Sequence, residues 1–189
     1  MKQLNIYMTG VGGQGIGLLS EIMSRVFYKL GESVKAVDTH GLAQRGGSVV
    51  SQLRVGENVY SPLIMPGRAD IILSLERLEA LRGMSEMLKN GGKVLYYDAN
   101  FQTIDNRLGA DQYPDVTKLT DLASKKNAEI IRAFREDLPD ARMQNVVLLG
   151  ELVKANWIEG FTMDMIDDIL KETVPAKVYE SNMKVLGAI

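Results

Sequence analysis

The sequence predicts an α/β protein, a three-layer α/β/α sandwich whose mostly parallel sheet carries a β-hairpin extension and is followed by C-terminal helices. Three observations predict this class. Apolar runs of strand length alternate with helical apolar spacing over residues 4–97, and a glycine-rich turn joins the first run to the first helix. Residues 141–186 show helical spacing alone. No internal repeat or linker is visible, so we expect one domain over residues 1–189.

The N-terminal part of the chain has the order strand, glycine turn, helix, strand. Residues 4–8 form an apolar run, and residues 16–30 place apolar side chains at helical spacing before Gly31, which is typical of a C-terminal cap. Residues 34–37 predict a second short strand. This order predicts a βαβ unit with a right-handed crossover.

The next segment predicts a departure from the parallel pattern. Residues 48–55 alternate apolar and polar side chains, residues 56–58 suit a turn, and Val59 and Tyr60 begin a return strand. A hairpin here adds an antiparallel portion to one side of the sheet. Residues 71–75 then predict a central parallel strand, residues 76–88 a helix closed by residues 90–92, and residues 93–97 another strand.

The remaining chain is mainly helical. Asp115 or Thr117 suits the N-cap of a short helix ending near residue 124, and residues 128–133 predict a last strand. Residues 141–156 are apolar on almost every side, so we expect a buried helix there. Two further helices are predicted over residues 162–170 and 177–186, with Pro175 between them.

Composition narrows the classes of function. Hydrophobic residues make up 46% and charged residues 24% of the chain, and a formal net charge of −2 gives no electrostatic case for nucleic acid or an anionic membrane. There is no cysteine, so the chain cannot form a disulfide or hold a cysteine-ligated iron–sulfur cluster, and with one histidine we expect no metal site. Neither a membrane-spanning run nor a secretory pattern is visible, and we expect a cytoplasmic protein.

The turn after the first strand is the first candidate site. Gly10, Gly12 and Gly15 have the G-x-G-x-x-G spacing that lets a backbone turn tightly and approach a ligand, and Gly13 and Gln14 lie between them. The free N–H groups and dipole of the following helix favour an anion by about 1 kcal/mol. These five residues therefore predict a loop that faces a phosphate or carboxylate.

Asp38 keeps a dinucleotide alternative open. It follows the second strand at about the distance from the glycines at which a dinucleotide-binding fold places its ribose-binding acid. An aspartate at a strand end is also common as a turn former or helix cap, and G-x-G-x-x-G recurs in unrelated turns. A free-standing, nucleotide-binding Rossmann-like enzyme is therefore one interpretation of these residues.

The second candidate site is the polar, glycine-rich loop over residues 39–48. His40 can exchange a proton near neutral pH, Arg45 can bind a carboxylate or phosphate through two parallel hydrogen bonds, and Gln44 can donate and accept. The alternative is that these side chains are merely solvated or cap a turn. Since ligands bind beyond the carboxyl ends of parallel strands, we expect both loops to meet there, together with the segments at Glu76 and Asp98.

Taken together, the two loops resemble those of a known family. The string T-H-G-x-A-Q-R-G-G over residues 39–47, after the glycine turn at residues 10–15, resembles the gamma-type component of the 2-oxoacid:ferredoxin oxidoreductases. The resemblance runs nearly end to end and is strongest to the small beta subunit type of the indolepyruvate:ferredoxin oxidoreductases. Leu42 replaces the commoner methionine of the second motif.

The resemblance implies a subunit of a larger enzyme that is inactive alone. In such enzymes a 2-oxoacid is decarboxylated on thiamine diphosphate, electrons pass through iron–sulfur clusters to ferredoxin, and the acyl group is transferred to coenzyme A. Thiamine diphosphate, Mg and the 4Fe–4S clusters are expected on the large partner subunit. The isolated chain is expected to form a homodimer if surface normally covered by that partner is left bare.

The expected roles of the loop residues follow from their chemistry. Arg45 is expected to bind an anion or the partner, His40 and Gln44 to hydrogen-bond, and the glycine turn to approach the partner or coenzyme A closely. A scaffolding module whose glycine loops serve only packing is the remaining alternative. Which 2-oxoacid is used is left open, with indolepyruvate or another aryl pyruvate expected.

Overall fold

A computed structural model describes residues 3–40, 47–102, 108 and 112–187. The strands and helices within these ranges follow the predicted order, and each begins and ends close to a change in the apolar pattern. They are β1 (Leu4–Val11), α1 (Ile16–Lys29), β2 (Val34–His40), β3 (Ser48–Val55), β4 (Ala69–Ser74), α2 (Arg77–Glu86), β5 (Leu88–Tyr97), α3 (Val116–Lys125), β6 (Glu129–Ala133), a 3₁₀ turn (Ala141–Met143), α4 (Gln144–Ala155), α5 (Met163–Thr173) and α6 (Ala176–Leu186).

The sheet has six strands in the order β2-β3-β1-β4-β5-β6. The β1–β4, β4–β5 and β5–β6 pairs are parallel, whereas β3 runs antiparallel to both β1 and β2. The predicted class, a mostly parallel α/β sheet with an antiparallel hairpin and C-terminal helices, is confirmed. β3 lies between β1 and β2, so the two parallel strands of the predicted βαβ unit are not direct neighbours.

Strand β3 forms a hairpin with β2, not with the predicted return strand at residues 59–60. Val59 and Tyr60 are not in a strand, and β3 pairs instead with β2. The physical reason is that β3 is hydrogen-bonded along both edges, by β1 and by β2, and has no edge left for a return strand. Side chains of β3 hold the following segment, because Arg54 Nη1 donates to the Ser61 carbonyl (3.0 Å) and the Ile64 N–H donates to Gln52 Oε1 (2.7 Å).

The predicted end of the second helix is also wrong. Helix α2 ends at Glu86, and the residues expected to close it, 90–92, lie inside β5. A register shift between the pairings of Ala69 and Ile71 absorbs the irregular backbone, in which Gly91 has φ +71°. A Cβ at Gly92 would stand only 3.1 Å from the Asp70 carbonyl oxygen. Close approach of β4 and β5, rather than a helix cap, therefore requires this glycine.

Helices cover both faces of the sheet, which gives the three layers. One core packs α1, α4, α5 and α6 against one face, and it contains Ile6 and Met8 of β1. The other core packs α2 and α3 against the opposite face, where Tyr7 contacts it. The alternation of Ile6, Tyr7 and Met8 follows from the two-residue repeat of a strand. Each fully buried aliphatic side chain contributes about 1.5–3 kcal/mol.

The predicted helix ends are largely confirmed. Asp115 caps α3 by accepting from the Lys118 N–H (3.0 Å), and Thr162 caps α5. Gly31 follows α1 with φ +77°, a left-handed conformation that glycine adopts without strain. As expected, α4 is buried on more than one side, since it contacts α1, α5, α6, β5 and β6. Among the described residues, no helix is long and apolar enough to cross a membrane.

Candidate functional site at the carboxyl edge of the sheet

The loops that follow the strands meet at one edge, as predicted. The Leu75 N–H after β4 donates to the Thr9 carbonyl (2.9 Å), and the Gly12 N–H donates to the Gly47 carbonyl (2.8 Å). The second of these bonds joins the turn after β1 to the last part of the loop between β2 and β3. The Arg77 N–H donates to the Ala99 carbonyl (3.1 Å), which brings the end of β5 to the start of α2.

Gln14 holds the glycine turn to the rest of the protein. Its side chain is buried, with Oε1 accepting from the Val11 N–H (2.7 Å) and Nε2 donating to both the Leu75 carbonyl (2.7 Å) and Gln144 Oε1 (2.8 Å). The Gln14 side chain therefore joins β1, β4 and α4 and faces inward. If this turn binds a ligand, its backbone and not the Gln14 amide makes the contact.

Glycine is required in this turn for two reasons, a backbone conformation with positive φ and a lack of space for a Cβ. Gly13 has φ +102° and Gly15 has φ +89°, conformations that a residue with a Cβ rarely adopts. A Cβ at Gly15 would also lie 2.7 Å from Asn145 Nδ2, and one at Gly10 would lie 3.1 Å from Gln14 Oε1. In the described part of the chain, the N–H groups of Gly13 and Gly15 donate to no acceptor. Toward the described residues, the turn therefore presents backbone donors that are not used.

The start of α1 adds to these donors. Gly15 is its N-cap and supplies no side-chain hydrogen bond, and no acidic residue lies in the first helical turn. The first N–H groups of a helix lack partners within the helix, and its dipole is positive there. The local arrangement therefore suits an anionic group, and the binding of such a group stays a prediction.

Of the second loop, only part lies within the described residues. His40 is the last residue of β2, where its backbone pairs with Val49 of β3. Gln44 and Arg45, like the side chain of His40, lie outside the described residues. The roles expected for these three side chains stay predictions.

Asp38 has a structural role that the sequence pattern did not reveal. Its Oδ1 accepts from the hydroxyl groups of Ser20 (3.1 Å) and Ser51 (2.5 Å), so it joins the end of β2 to α1 and β3. An acid that binds a ribose must leave its carboxylate available to two sugar hydroxyls. Both serine contacts use Oδ1, which gives Asp38 a structural role, but Asp38 is exposed and the dinucleotide interpretation is not decided by these bonds.

A buried group of carboxylates occupies the other part of the same edge. Glu76 is the N-cap of α2, where Oε2 accepts from the Glu79 N–H (2.8 Å) and Oε1 accepts from the Phe101 N–H (3.2 Å) and the Tyr113 hydroxyl. Burial raises the pKa of Glu76, and these hydrogen bonds oppose that rise. Burial and the bond to Glu76 also raise the pKa of Tyr113.

The carboxylates of Glu79 and Asp98, like that of Glu76, accept hydrogen bonds on both of their oxygens. Glu79 Oε2 accepts from the hydroxyls of Ser48 (2.6 Å) and Thr9 (3.3 Å), and Oε1 accepts from Arg82 Nη1 (2.7 Å).

Asp98, whose side chain is 1% exposed, accepts from Arg77 Nε (2.5 Å) and Arg132 Nε (2.6 Å). The guanidinium of Arg77 also lies 5.6 Å from the ring centroid of Tyr113.

Glu76 and Asp98 lie at this edge as expected, whereas the sequence pattern did not indicate Glu79, Arg77 or Tyr113. Glu76 directly follows a buried strand and precedes a helix, which is a sequence signal for an N-cap. Within the described residues, no group of three or more histidine, aspartate or glutamate side chains is arranged to hold a metal ion.

Comparison with known proteins identifies the family. Residues 5–188 match the model of the pyruvate ferredoxin/flavodoxin oxidoreductase family. The chain belongs to this family, and the resemblance inferred from the two loops is confirmed. As a member, it is part of an oxidoreductase.

Curated relatives match over nearly their whole length. The chain is 43% identical to the indolepyruvate oxidoreductase subunit IorB of Methanothermobacter thermautotrophicus, covering 95% of this chain and 92% of that protein. It is 32% identical to the subunit of the same name from Pyrococcus horikoshii, covering 97% of this chain and 93% of the relative.

Solved structures share the fold. The gamma subunit of a keto/oxoacid ferredoxin oxidoreductase from Geobacter sulfurreducens superposes with a TM-score of 0.63 at 20% identity, covering 97% of this chain and 94% of that one. A 2-oxoglutarate:ferredoxin oxidoreductase from Magnetococcus marinus, solved with 2-oxoglutarate, coenzyme A and succinyl-CoA, gives a TM-score of 0.68 at 16% identity. That match covers all of this chain (100%) but 30% of the other, so the fold also occurs as part of a longer chain.

Proposed function

We propose that this chain is the small subunit of an indolepyruvate or aryl-pyruvate:ferredoxin oxidoreductase, active only with a large partner subunit and folded as one domain over residues 1–189. The observation that carries this proposal is the near full-length identity of 31–43% to relatives named indolepyruvate oxidoreductase subunit IorB. The overall reaction is oxidative decarboxylation of the 2-oxoacid, with transfer of the acyl group to coenzyme A and of electrons to ferredoxin.

The donor groups of the chain support the placement of the redox cofactors on the partner. The sequence has no cysteine to ligate a 4Fe–4S cluster and one histidine. Thiamine diphosphate, its Mg and the clusters are therefore assigned to the large subunit. This chain contributes binding surface and hydrogen-bond donors to the assembled site.

The glycine turn is the part of the chain that we expect to face coenzyme A or the partner. The N–H groups of Gly13 and Gly15, which have no acceptor among the described residues, and the uncapped start of α1 support an anionic guest. Arg45 is proposed to hold the anion or a carboxylate of the partner, with His40 and Gln44 hydrogen-bonding beside it. Gly10 and Gly12 keep the backbone close to that guest.

Exposed apolar side chains support a partner subunit. Tyr60, Leu63 and Met65 lie in one segment after β3, and 87%, 59% and 72% of their surfaces are exposed. Such groups on a soluble subunit are typical of a contact surface that is covered on assembly. The isolated chain is expected to self-associate through this surface, which size-exclusion chromatography at several concentrations measures.

Reconstitution tests the proposal. The purified chain should give no indolepyruvate-dependent reduction of a viologen dye, whereas adding the large subunit and coenzyme A should give full activity. If the large subunit is equally active with and without this chain, the proposal is wrong.

Loop variants test the site within the reconstituted enzyme. Arg45→Ala should raise the KM for coenzyme A or weaken assembly about ten-fold, because it removes a cationic donor to an anion. Arg68→Ala is the matched control, since Arg68 is an exposed arginine beside the start of β4, at the opposite edge of the sheet. Equal behaviour of the two variants would favour the scaffolding alternative.

A further inference from the structure

Strand β2 is an open end of the sheet. In the order β2-β3-β1-β4-β5-β6 it has one neighbouring strand, and it pairs with β3 without a break in register. In an antiparallel pair, every second residue directs its backbone N–H and carbonyl groups away from the partner strand. Among the described residues, no strand or loop pairs with the outer edge of β2. These backbone groups are therefore available to a further strand.

A groove of about 360 Å³ lies beside this edge, between α1 and β2. Gly17, Ser20 and Ser24 line it from α1, and Ala36 lines it from β2. Because Ala36 is small and exposed, the side chains of β2 do not fill the space on the α1 side of the sheet. A strand added to β2 would point every second side chain toward α1. The groove therefore has space for the side chains of an added strand.

Two carboxylates give this groove a negative charge. Asp38 uses Oδ1 for the hydroxyls of Ser20 (3.1 Å) and Ser51 (2.5 Å), and its Oδ2 accepts no hydrogen bond from the described residues. Glu21 accepts from Arg25 through Oε1 (2.9 Å), and 47% of its side chain is exposed. The charge of Glu21 is paired, whereas that of Asp38 is not. The groove therefore favours a cationic side chain.

The opposite face of β2 is positively charged. Lys35 and Asp38 are three positions apart, so their side chains lie on opposite faces of the sheet. Lys35 lies directly opposite Arg54 of β3, and neither cation has a carboxylate within salt-bridge distance among the described residues. Opposite charges directly across two strands stabilise a sheet, and like charges destabilise it. A matching strand therefore carries an acidic residue opposite Lys35 and a basic residue opposite Asp38.

A second copy of this chain does not fit this charge pattern. Two-fold symmetry between antiparallel β2 strands keeps the same face of both sheets on one side, so residues of even number lie opposite residues of even number. Lys35 of one copy would then never lie opposite Asp38 of the other. The pattern favours a strand of different sequence.

We propose that β2 binds an extended segment of the large partner subunit, which adds a further strand to the sheet. Backbone hydrogen bonds along the outer edge of β2 supply affinity, and the groove at Asp38 selects a lysine or arginine side chain. An acidic residue three positions from that base lies opposite Lys35. This inference deepens the proposed function, because it rests on the large subunit being the partner of this chain.

Hydrogen–deuterium exchange of the isolated chain and of its complex with the large subunit tests the strand pairing. Amide exchange in Val34–His40 should slow at least about ten-fold on assembly, because the outward N–H groups gain acceptors. Strand β6, at the other end of the sheet, is the internal control and should exchange equally in both samples. Unchanged exchange in β2 overturns the proposal. Slowing in the isolated chain as its concentration rises would assign the edge to a second copy and would also overturn it.

Charge variants test the groove. Glu21→Lys should weaken binding of the large subunit about ten-fold and Asp38→Asn about five-fold, because both make the groove less negative where the incoming base lies. Asp121→Lys is the matched control: it reverses an exposed acid on α3, on the other face of the sheet, and should leave the affinity unchanged. If both groove variants bind the large subunit as tightly as Asp121→Lys, the groove does not select a base and the proposal is wrong.

Two further measurements separate folding and function from strand binding. Asp38→Asn keeps the shape of the side chain and the Oδ1 acceptor that both serines use, so it changes the charge alone. Thermal unfolding should be cooperative for each variant used. Viologen reduction by the reconstituted enzyme is measured separately: an active complex in which β2 exchanges as in the isolated chain overturns the strand proposal alone, whereas a chain that neither binds nor activates the large subunit overturns the proposed function.

Discussion

The carboxyl edge of the sheet has two halves that differ in how their polar groups are paired. The glycine half, residues 10–17, presents the uncapped start of α1 and N–H groups that have no acceptor in the described ranges. The carboxylate half, formed by Glu76, Glu79 and Asp98, is buried, and each carboxylate accepts from at least two neighbours. One half retains hydrogen-bonding capacity for a guest, and the other uses its capacity within the protein.

Charge and burial alone therefore do not identify a ligand site. Buried carboxylates in a cleft are common candidates for catalysis, yet Asp98 is held between two guanidinium groups and Glu76 caps a helix. The glycine half carries no charge of its own but retains unpaired donors. The predictions below test whether the carboxylate half serves stability and the glycine half serves binding.

The largest effect is expected in the carboxylate half. Asp98→Ala should lower the free energy of unfolding by about 3 kcal/mol, because it leaves Arg77 partly buried without its anion. Denaturant unfolding measures the change. Glu21→Ala, which removes an exposed acid paired with the exposed Arg25, is the control and should have no measurable effect. A stable Asp98→Ala protein that loses coenzyme A binding would reverse the assignment of the two halves.

Gln14→Leu should have the next largest effect. The change leaves the Val11 N–H, the Leu75 carbonyl and Gln144 without their partner, which should cost about 2–3 kcal/mol in the free energy of unfolding. The exposed Gln102→Leu, measured in the same way, should leave stability unchanged. Equal midpoints for the two variants would show that Gln14 does not hold the turn.

A pair of glycine variants tests the backbone conformation of the turn. Gly15→Ala should destabilise the protein by about 1–2 kcal/mol, since Gly15 has φ +89° and its Cβ would meet Asn145. Gly17→Ala, in the first turn of α1 with nothing within 4 Å of its Cβ, should instead stabilise by about 0.5–1 kcal/mol. Thermal unfolding of the two proteins should shift in opposite directions. A shift in the same direction would contradict the conformation given to Gly15.

The smallest effect is a pH dependence in the carboxylate half. Burial raises the pKa of Glu76 above its ordinary value of 4.5, so the folded protein binds this proton more tightly than the unfolded chain does. The contribution of Glu76 to stability is therefore complete below pH 4.5 and is lost as the pH rises through the folded-state pKa.

The measurement is a difference between two proteins. Unfolding free energies of the native chain and of Glu76→Gln, determined from pH 4.5 upward, should show the native chain losing its relative advantage as the pH rises. Subtracting the variant removes the shared contributions of the other titrating groups. A constant difference across this range would show that Glu76 does not titrate there.

Most elements could be predicted because their patterns are local. Helix α1 runs over Ile16–Lys29 against a predicted 16–30, and Thr162 caps α5 as expected. The errors arose where long-range pairing decides. No local pattern in residues 48–60 shows that β3 is bonded on both edges, and the glycines of residues 90–92 suit a helix end as well as a strand irregularity.

The candidate site could be predicted in part. The spacing of Gly10, Gly12 and Gly15 indicated the turn, but it could not show that the Gln14 side chain faces inward. The roles of His40, Gln44 and Arg45 stay predictions.

By itself, the sequence determined the α/β class, the glycine turn and the family. Periodicity, caps and turn residues act over a few neighbours, and the T-H-G-x-A-Q-R-G-G string is specific on its own. Only the tertiary structure decided the position of β3 between β1 and β2 and the structural role of Asp38. These depend on contacts between residues far apart in the chain, and no local pattern records which polar groups remain unpaired once those contacts form.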